Sequence, residues 1–302
     1  MCIIVPEVEA LGNTRIFARS LPHAQQALIY EMEWHASSSA TMILPIPVIP
    51  GSAEDSVHFF DLTDAPDLFN TLEANIESPT MITLGGAAFA EFEEPPLAIV
   101  DVGSFEASFS PTMKDLDRLD QRFQLDPEIW QALPQYSDYG FAIFKLKSGA
   151  GRIGRTLTDS HPMAFTFPTR SPDKLFFPTV HIHDGALHQE ADFDHNLFCQ
   201  CTLDQLDRLE NINAEHGFIR PKIDSTQQHA VPGSETDIEP YIVNDFMDHA
   251  IMPEPIWYRS PLTLENFLDT TCCSALETLF EKSRRVFRRR IQGTLQNQDI
   301  WL

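Results

Sequence analysis

The sequence predicts an α+β protein built mostly on antiparallel β-sheet, with a few short helices and a long amphipathic helix at the C-terminus. Three observations predict it. Short runs rich in β-branched and aromatic residues, separated by turn residues, recur over residues 2–62 and again over 140–201. Helix start signals interrupt them at Asp64-Ala65-Pro66, at Thr112 and at Asp126-Pro127. Near the C-terminus, Leu264, Phe267, Leu268, Cys272, Ala275, Leu276, Leu279, Phe280 and Phe287 recur every three or four residues.

Taken in order, CIIVPEV, TRIFARS, QALIYEMEW, TMILPIPVI and SVHFFDL read as strands, and an antiparallel meander is their simplest arrangement. A helix follows through DLFNTLEANIE, capped by Asp64 with Pro66 in its first turn and with Leu68, Leu72 and Ile76 at helical spacing. Strands return at TMITL and LAIVDVGSFEASFS, followed by short helices over KDLDRLDQRF and EIWQAL. GFAIFKLK, PMAFTFP, KLFFPTVHIH and FDHNLFCQC are again extended. Residues 1–219 form the predicted core, as one sheet or as two built from 1–135 and 136–219. Residues 220–255 are polar and turn-rich, which marks a loop or linker, and 256–302 form the helical C-terminal segment. There is no internal repeat.

With 302 residues, 43% hydrophobic, the chain can bury a sizeable core. Its formal net charge of −23 argues against DNA and general nucleic-acid binding, which draw on clustered Lys and Arg. A small molecule or a protein is the expected partner. The charge is unevenly spread: residues 281–302 carry +4 net and the remainder −27. Lys282, Arg284, Arg285, Arg288, Arg289 and Arg290 complement the dipole at the end of the predicted helix and form a solvated face beside an acidic body. The alternative is a docking surface for an acidic partner, RNA or a second copy in a homo-oligomer. The first twenty residues lack a basic n-region and place Glu7 and Glu9 where an export signal needs apolar residues. No window of about 18 apolar residues exists to span a membrane. Five cysteines, Cys2, Cys199, Cys201, Cys272 and Cys273, form neither a disulfide framework nor a zinc ribbon, and reduced thiols in a cytoplasm fit them.

The strongest chemical signal is His181-Ile182-His183-Asp184-Gly185-Ala186-Leu187-His188. Asp-Gly between extended runs is a two-residue hairpin turn, since both central positions need positive φ. That register opposes His181 to His188 and places His181, His183, His188 and Glu190 on one face. Opposed Cβ atoms lie about 5 Å apart, within reach of one ion about 2.0–2.1 Å from each imidazole nitrogen. Three imidazoles and an open fourth position suit Zn²⁺ or another divalent metal that activates water. Asp194 and His195 are then the candidate catalytic groups, with Asp192 as a further supporting carboxylate. The structural account of the same residues is a polar hairpin face.

Other motifs are weaker. Gly149-Ala150-Gly151-Arg152-Ile153-Gly154 matches GxGxxG, but RTLTDSHP after it is not a helix that could hold a pyrophosphate, so no nucleotide cofactor is expected. Arg152 and Arg155 could still meet an anion. Cys199, Cys201, Cys272 and Cys273 read as packing thiols without a cationic neighbour to depress their pKa.

Removal of Met1 would leave Cys2 as a thiol with its own α-amino group as base. The stretch from Cys2 to Arg19, with Phe17-Ala18-Arg19 after a short turn, resembles the opening of the N-terminal-nucleophile hydrolases that cleave bile salts and penicillin V. The resemblance implies a cysteine amidohydrolase with Arg19 near the nucleophile; it departs at Pro22, where that family places an acidic residue. The runs Gly12-Asn13-Thr14-Arg15-Ile16-Phe17-Ala18, Met42-Ile43-Leu44-Pro45-Ile46-Pro47-Val48 and Asp67-Leu68-Phe69 are similar to the N-terminal part of a bacterial family catalogued as a domain of unknown function. Members of that family often carry an export signal, which this chain lacks. Three functions follow as expectations: a metal-binding, hydrolytic protein using the histidine hairpin; a non-enzymatic binding or assembly protein using the basic C-terminal helix; and a cysteine amidohydrolase starting at Cys2.

Overall fold

Long apolar strands that are buried on both faces need cover on both faces, and the fold supplies it in layers. The computed structural model describes residues 2–5, 10–35, 41–77, 99–118, 133–146, 161–182, 188–202, 205, 254–255, 273–281, 284 and 286–302. In order these are β1 (Cys2–Val5), β2 (Ala10–Leu21), β3 (Gln25–His35), β4 (Thr41–Ile46), β5 (His58–Phe60), α1 (Leu68–Glu77), β6 (Val100–Val102), β7 (Phe105–Ser110), a 3₁₀ turn (Met113–Arg118), a second 3₁₀ turn (Pro134–Tyr136), β8 (Gly140–Leu146), β9 (Met163–Pro168), β10 (Phe176–Phe177), β11 (His181–Ile182), β12 (Glu190–Gln200), β13 (Glu254–Pro255), α2 (Ser274–Leu279), β14 (Phe287–Gln296) and β15 (Ile300–Trp301).

One sheet has the order β11-β1-β4-β8-β7-β6 and the other β13-β14-β12-β2-β3-β9-β5, while β10 and β15 pair with each other. The main core lies between the two large sheets: Ile4, Met42, Leu44 and Phe144 from the first meet Ile16, Leu28, Phe165 and Leu197 from the second. The outer face of the seven-stranded sheet, with Phe17, Ile29 and Phe198, is covered by Leu68, Phe69 and Leu72 of α1 and by Leu276 and Leu279 of α2. The outer face of the six-stranded sheet, with Ile3, Ile43 and Ile143, is covered by Leu116, Leu133 and Tyr136. Two-sided burial is why β4, β9 and most of β8 are buried along their length and read as continuous apolar runs. The strands at the sheet edges, β5, β6, β11 and β13, have only two or three residues, which limits pairing with other chains.

The structure corrects the predicted fold class. Strands dominate, and among the described residues there is no long C-terminal helix. Residues 264–272 lie outside the described residues, and α2 is six residues long, ending at Phe280 in extended backbone (φ −114°, ψ 153°). Arg288, Arg289 and Arg290 of the arginine-rich run lie in strand β14, paired antiparallel with β12 from Glu190↔Gln296 to Cys199↔Phe287. Its burial alternates, with Arg289 and Ile291 inside and Arg290 and Gln292 exposed. Phe287 satisfies a helical and a strand period alike, and three consecutive arginines conceal the alternation that burial of Arg289 creates. The predicted meander over residues 1–62 is also replaced. β2 and β3 pair as a hairpin, but β1 and β4 belong to the other sheet and β5 joins β9. Two neighbours are parallel, β1 with β11 and β2 with β12. TMITL, EIWQAL apart from its last residue Leu133, and the glycine-rich run at 149–154 lie outside the described residues, as does 206–253.

The last residues bind both sheets together. Asp299 Oδ1 accepts from the amides of Thr179 (2.9 Å) and Val180 (3.2 Å), and its Oδ2 accepts from the Tyr136 hydroxyl at 2.6 Å. Asn297 Oδ1 accepts from His181 N at 2.7 Å, while its amide nitrogen donates to the carbonyls of His181 and His188. Leu302 exchanges two backbone hydrogen bonds with Leu175.

Candidate functional site

Of the predicted residues His181, His183, His188, Asp194 and His195, all but His183 are described, and the turn at 183–187 lies outside the described residues. His181 is in β11, where its main chain is the parallel register partner of Cys2. His183 lies outside the described residues. His188 is exposed, and its carbonyl is tied through Asn297 to that of His181. His195 is in β12 of the other sheet and is 1% exposed. Strand alternation places Asp194 on the opposite face from His195, where Asp194 lies 3.6 Å from Arg290. Asp192 accepts from Thr294 Oγ1 at the surface.

The fold does bring His181 and His195 together between the sheets. Their ring centroids are 4.7 Å apart at 84°, and both rings meet Phe193, at 4.9 Å and 5.0 Å. The arrangement packs as an aromatic trio. Among the described residues, no group of three or more His, Cys, Asp or Glu side chains converges as a metal site would. Asn297, by holding the His181 main chain on both sides, fixes where that imidazole enters the core.

A second polar centre, on the opposite face of β12, is absent from the sequence reading. It forms under α1. Arg15 in β2 is register partner to Glu31 in β3 and to Asn196 in β12, so strand alternation sets all three on the face that α1 covers. Arg15 Nη2 lies 2.7 Å from Glu31 Oε2, and Nη1 donates to Asn70 Oδ1 at 2.5 Å and reaches Glu73 Oε2 at 3.5 Å. Asn196 donates to Glu73 Oε1 at 3.3 Å, and the Arg15 guanidinium stands 5.7 Å from the Phe69 ring. The strand bends to make this fit. The register between β2 and β3 shifts between Gly12 and Arg15, with Asn13 at φ 46°, a conformation asparagine tolerates better than most residues. The sequence carried one faint signal, glutamates at 31 and 33 alternating through an otherwise apolar strand.

Burial pushes the Glu31 carboxyl up to about 7; Arg15 opposes the rise, and Glu73, Glu33 and Asp67 add to it. The centre therefore joins the helix to the sheet while holding one carboxyl poised to titrate near neutrality.

The thiols also depart from expectation. Cys199 is buried and Cys201 partly buried. Hydrogen bonding to Cys199 lowers the Cys201 pKa, with a further contribution from the Arg284 charge, so Cys201 does have a cationic neighbour.

No family model matches the chain, and no curated protein is significantly similar to it. Solved structures of baculovirus P35 are similar to it. One crystal structure of P35 shares 14% identity at a TM-score of 0.49, over 100% of this chain and 98% of that one. A mutated P35 after caspase cleavage shares 12% at 0.44, over 98% of each. P35 in its complex with caspase-8 shares 11% at 0.44, over 96% of this chain and 95% of that one.

The Glu31 centre sets a pH dependence. Because the folded carboxyl holds its proton more tightly than the unfolded one, folding takes up a proton between pH 4.5 and about 7. Glu31's contribution is therefore full below 4.5 and is lost as pH rises through about 7. Urea unfolding of the wild type and of Glu31→Gln from pH 5 to pH 8 should show the wild type losing roughly 3 kcal/mol relative to the variant. A difference that stays flat with pH would contradict the raised pKa.

Proposed function

We propose that the chain is a binding protein whose acidic exterior docks a cationic surface on a protein partner. The observation that carries this is the way the fold sorts its charges. Arg289 is fully buried, and the side chains of Arg15 and Arg19 are 6% and 11% exposed. At the surface, Arg118, Arg170, Arg284 and Arg290 each face a carboxylate within 4 Å. Against 21 Lys and Arg stand 44 Asp and Glu, and Asp138, Asp61 and Asp194 are 58%, 55% and 48% exposed. With these arginines buried or paired, the net charge of −23 gives a negative outward field. Such a field steers a cationic partner and repels nucleic acid. The basic C-terminal segment is thereby reassigned: β14 supplies Arg289 to the core and Arg290 to Asp194. Among the described residues no helix is long and apolar enough to cross a membrane.

Titration with an oligolysine peptide tests the reading. The affinity should fall at least tenfold between about 0.02 M and about 0.5 M salt. It should weaken several-fold in a variant combining the exposed-site changes Asp55→Asn, Asp101→Asn and Asp173→Asn. No binding at low salt, or affinity indifferent to both changes, would refute it. Caspase-8, bound to P35 in one of the similar structures, is one protein to include beside the peptide.

A second reading, a metal-binding hydrolytic protein, rests on the 4.7 Å contact of His181 and His195. On that reading Co²⁺ binds at one equivalent with a ligand-field spectrum that His195→Ala removes. An unchanged spectrum in the variant, or no binding at all, eliminates it.

A further inference from the structure

The end of β12 carries a pair of thiols that neither reading above uses. Cys199 and Cys201 lie two residues apart, so alternation puts them on the same face, the one turned to the core between the sheets. The two thiols influence each other, Cys199 lowering the pKa of Cys201 and Cys201 raising that of Cys199. They differ in access. Cys199 is 1% exposed, whereas Cys201 is only partly buried.

They also differ in restraint. The ladder to β14 ends at Cys199↔Phe287 and the ladder to β2 at Gln200↔Arg19, so Cys201 is the first residue beyond both. What holds the region is the side chain of Gln200. Its amide nitrogen donates to the carbonyls of Glu281 (2.8 Å) and Arg284 (2.9 Å), and its oxygen accepts from Glu281 N at 2.8 Å. That clamp brings Glu281 and Arg284 against the strand end, where Arg284 pairs with Glu281 at 3.1 Å and its charge favours a thiolate at Cys201.

The geometry points to Cys201 as a peroxide-reactive thiol and Cys199 as the thiol that resolves it. The Cys201 thiolate attacks one oxygen of a hydroperoxide; the O–O bond breaks, Cys201 becomes a sulfenic acid, and the departing oxygen takes a proton and leaves as water or an alcohol. The Cys199 sulfur then attacks the Cys201 sulfur, the S–O bond breaks, and the hydroxyl leaves as water with the Cys199 proton. In total two thiols are oxidised by two electrons to one disulfide and one hydroperoxide is reduced. Two residues of strand span about 6.7 Å between Cα atoms, near the upper limit of a disulfide, so closure draws Cys201 inward. Its place beyond both ladders permits that movement without breaking a strand rung.

The test treats the folded full chain with one equivalent of hydrogen peroxide and maps its peptides by mass. The peptide holding Cys199 and Cys201 should become lighter by two hydrogens. In Cys199→Ala, dimedone should instead trap a sulfenic acid at Cys201, and in Cys201→Ala neither position should react; circular dichroism confirms that both variants are folded. Two free thiols at 199 and 201 after the oxidant is consumed, or no dimedone adduct at Cys201 in folded Cys199→Ala, would overturn the inference.

Discussion

The seven-stranded sheet is apolar on both faces, and that constraint sets most of the rest. One face of β2, β3 and β12 presents Ile16, Leu28 and Leu197 to the opposing sheet, and the other presents Phe17, Ile29 and Phe198. A strand of this kind cannot lie at a surface, because each large side chain left in water forgoes roughly 1.5–3 kcal/mol of burial. The chain therefore places α1 and α2 over one face and a complete second sheet over the other. Residues 297–302 tie the layers through hydrogen bonds to segments far away in sequence, Thr179, His181 and Leu175 among them.

Burial on this scale also traps charge. Arg15 and Arg289 occupy strand positions whose alternation turns them inward or under a helix. Arg15 is met by Glu31, Glu73 and Asn70, all of which lie far from it in sequence. Glu31 bears the cost, since burial and neighbouring carboxylates outweigh Arg15 and hold its proton near neutral pH. Among the described residues the interior thus takes Arg15 and Arg289, while Asp61, Asp138 and Asp194 stay at the surface. The binding reading rests on this partition.

Local patterns were legible in the sequence and long-range ones were not. Every described strand longer than three residues falls on a run already rich in β-branched or aromatic residues, except β14. Leu68–Glu77 is helical where Leu68 and Leu72 gave the spacing, although Asp67 rather than Asp64 directly precedes it. β14 was misread because Arg289, the residue that would reveal its alternation, is charged but buried. The meeting of His181 with His195 was not legible for a different reason: His181 pairs with β1 and His195 sits in the other sheet, which depends on strand order and not on neighbouring residues. The Arg15 centre joins β2, β3, β12 and α1, and no local period announces such a convergence.

The central claim is that the buried arginines leave a self-repelling acidic exterior, and its most direct test is the melting temperature against sodium chloride at pH 7.5. Added salt screens exposed carboxylates from one another but reaches buried pairs such as Arg15 with Glu31 far less. The account predicts a melting temperature that rises from about 0.02 M to about 0.5 M salt. A melting temperature that falls over that range would mean that exposed attractive pairs dominate, and would contradict the sorting of charge on which the proposed function rests.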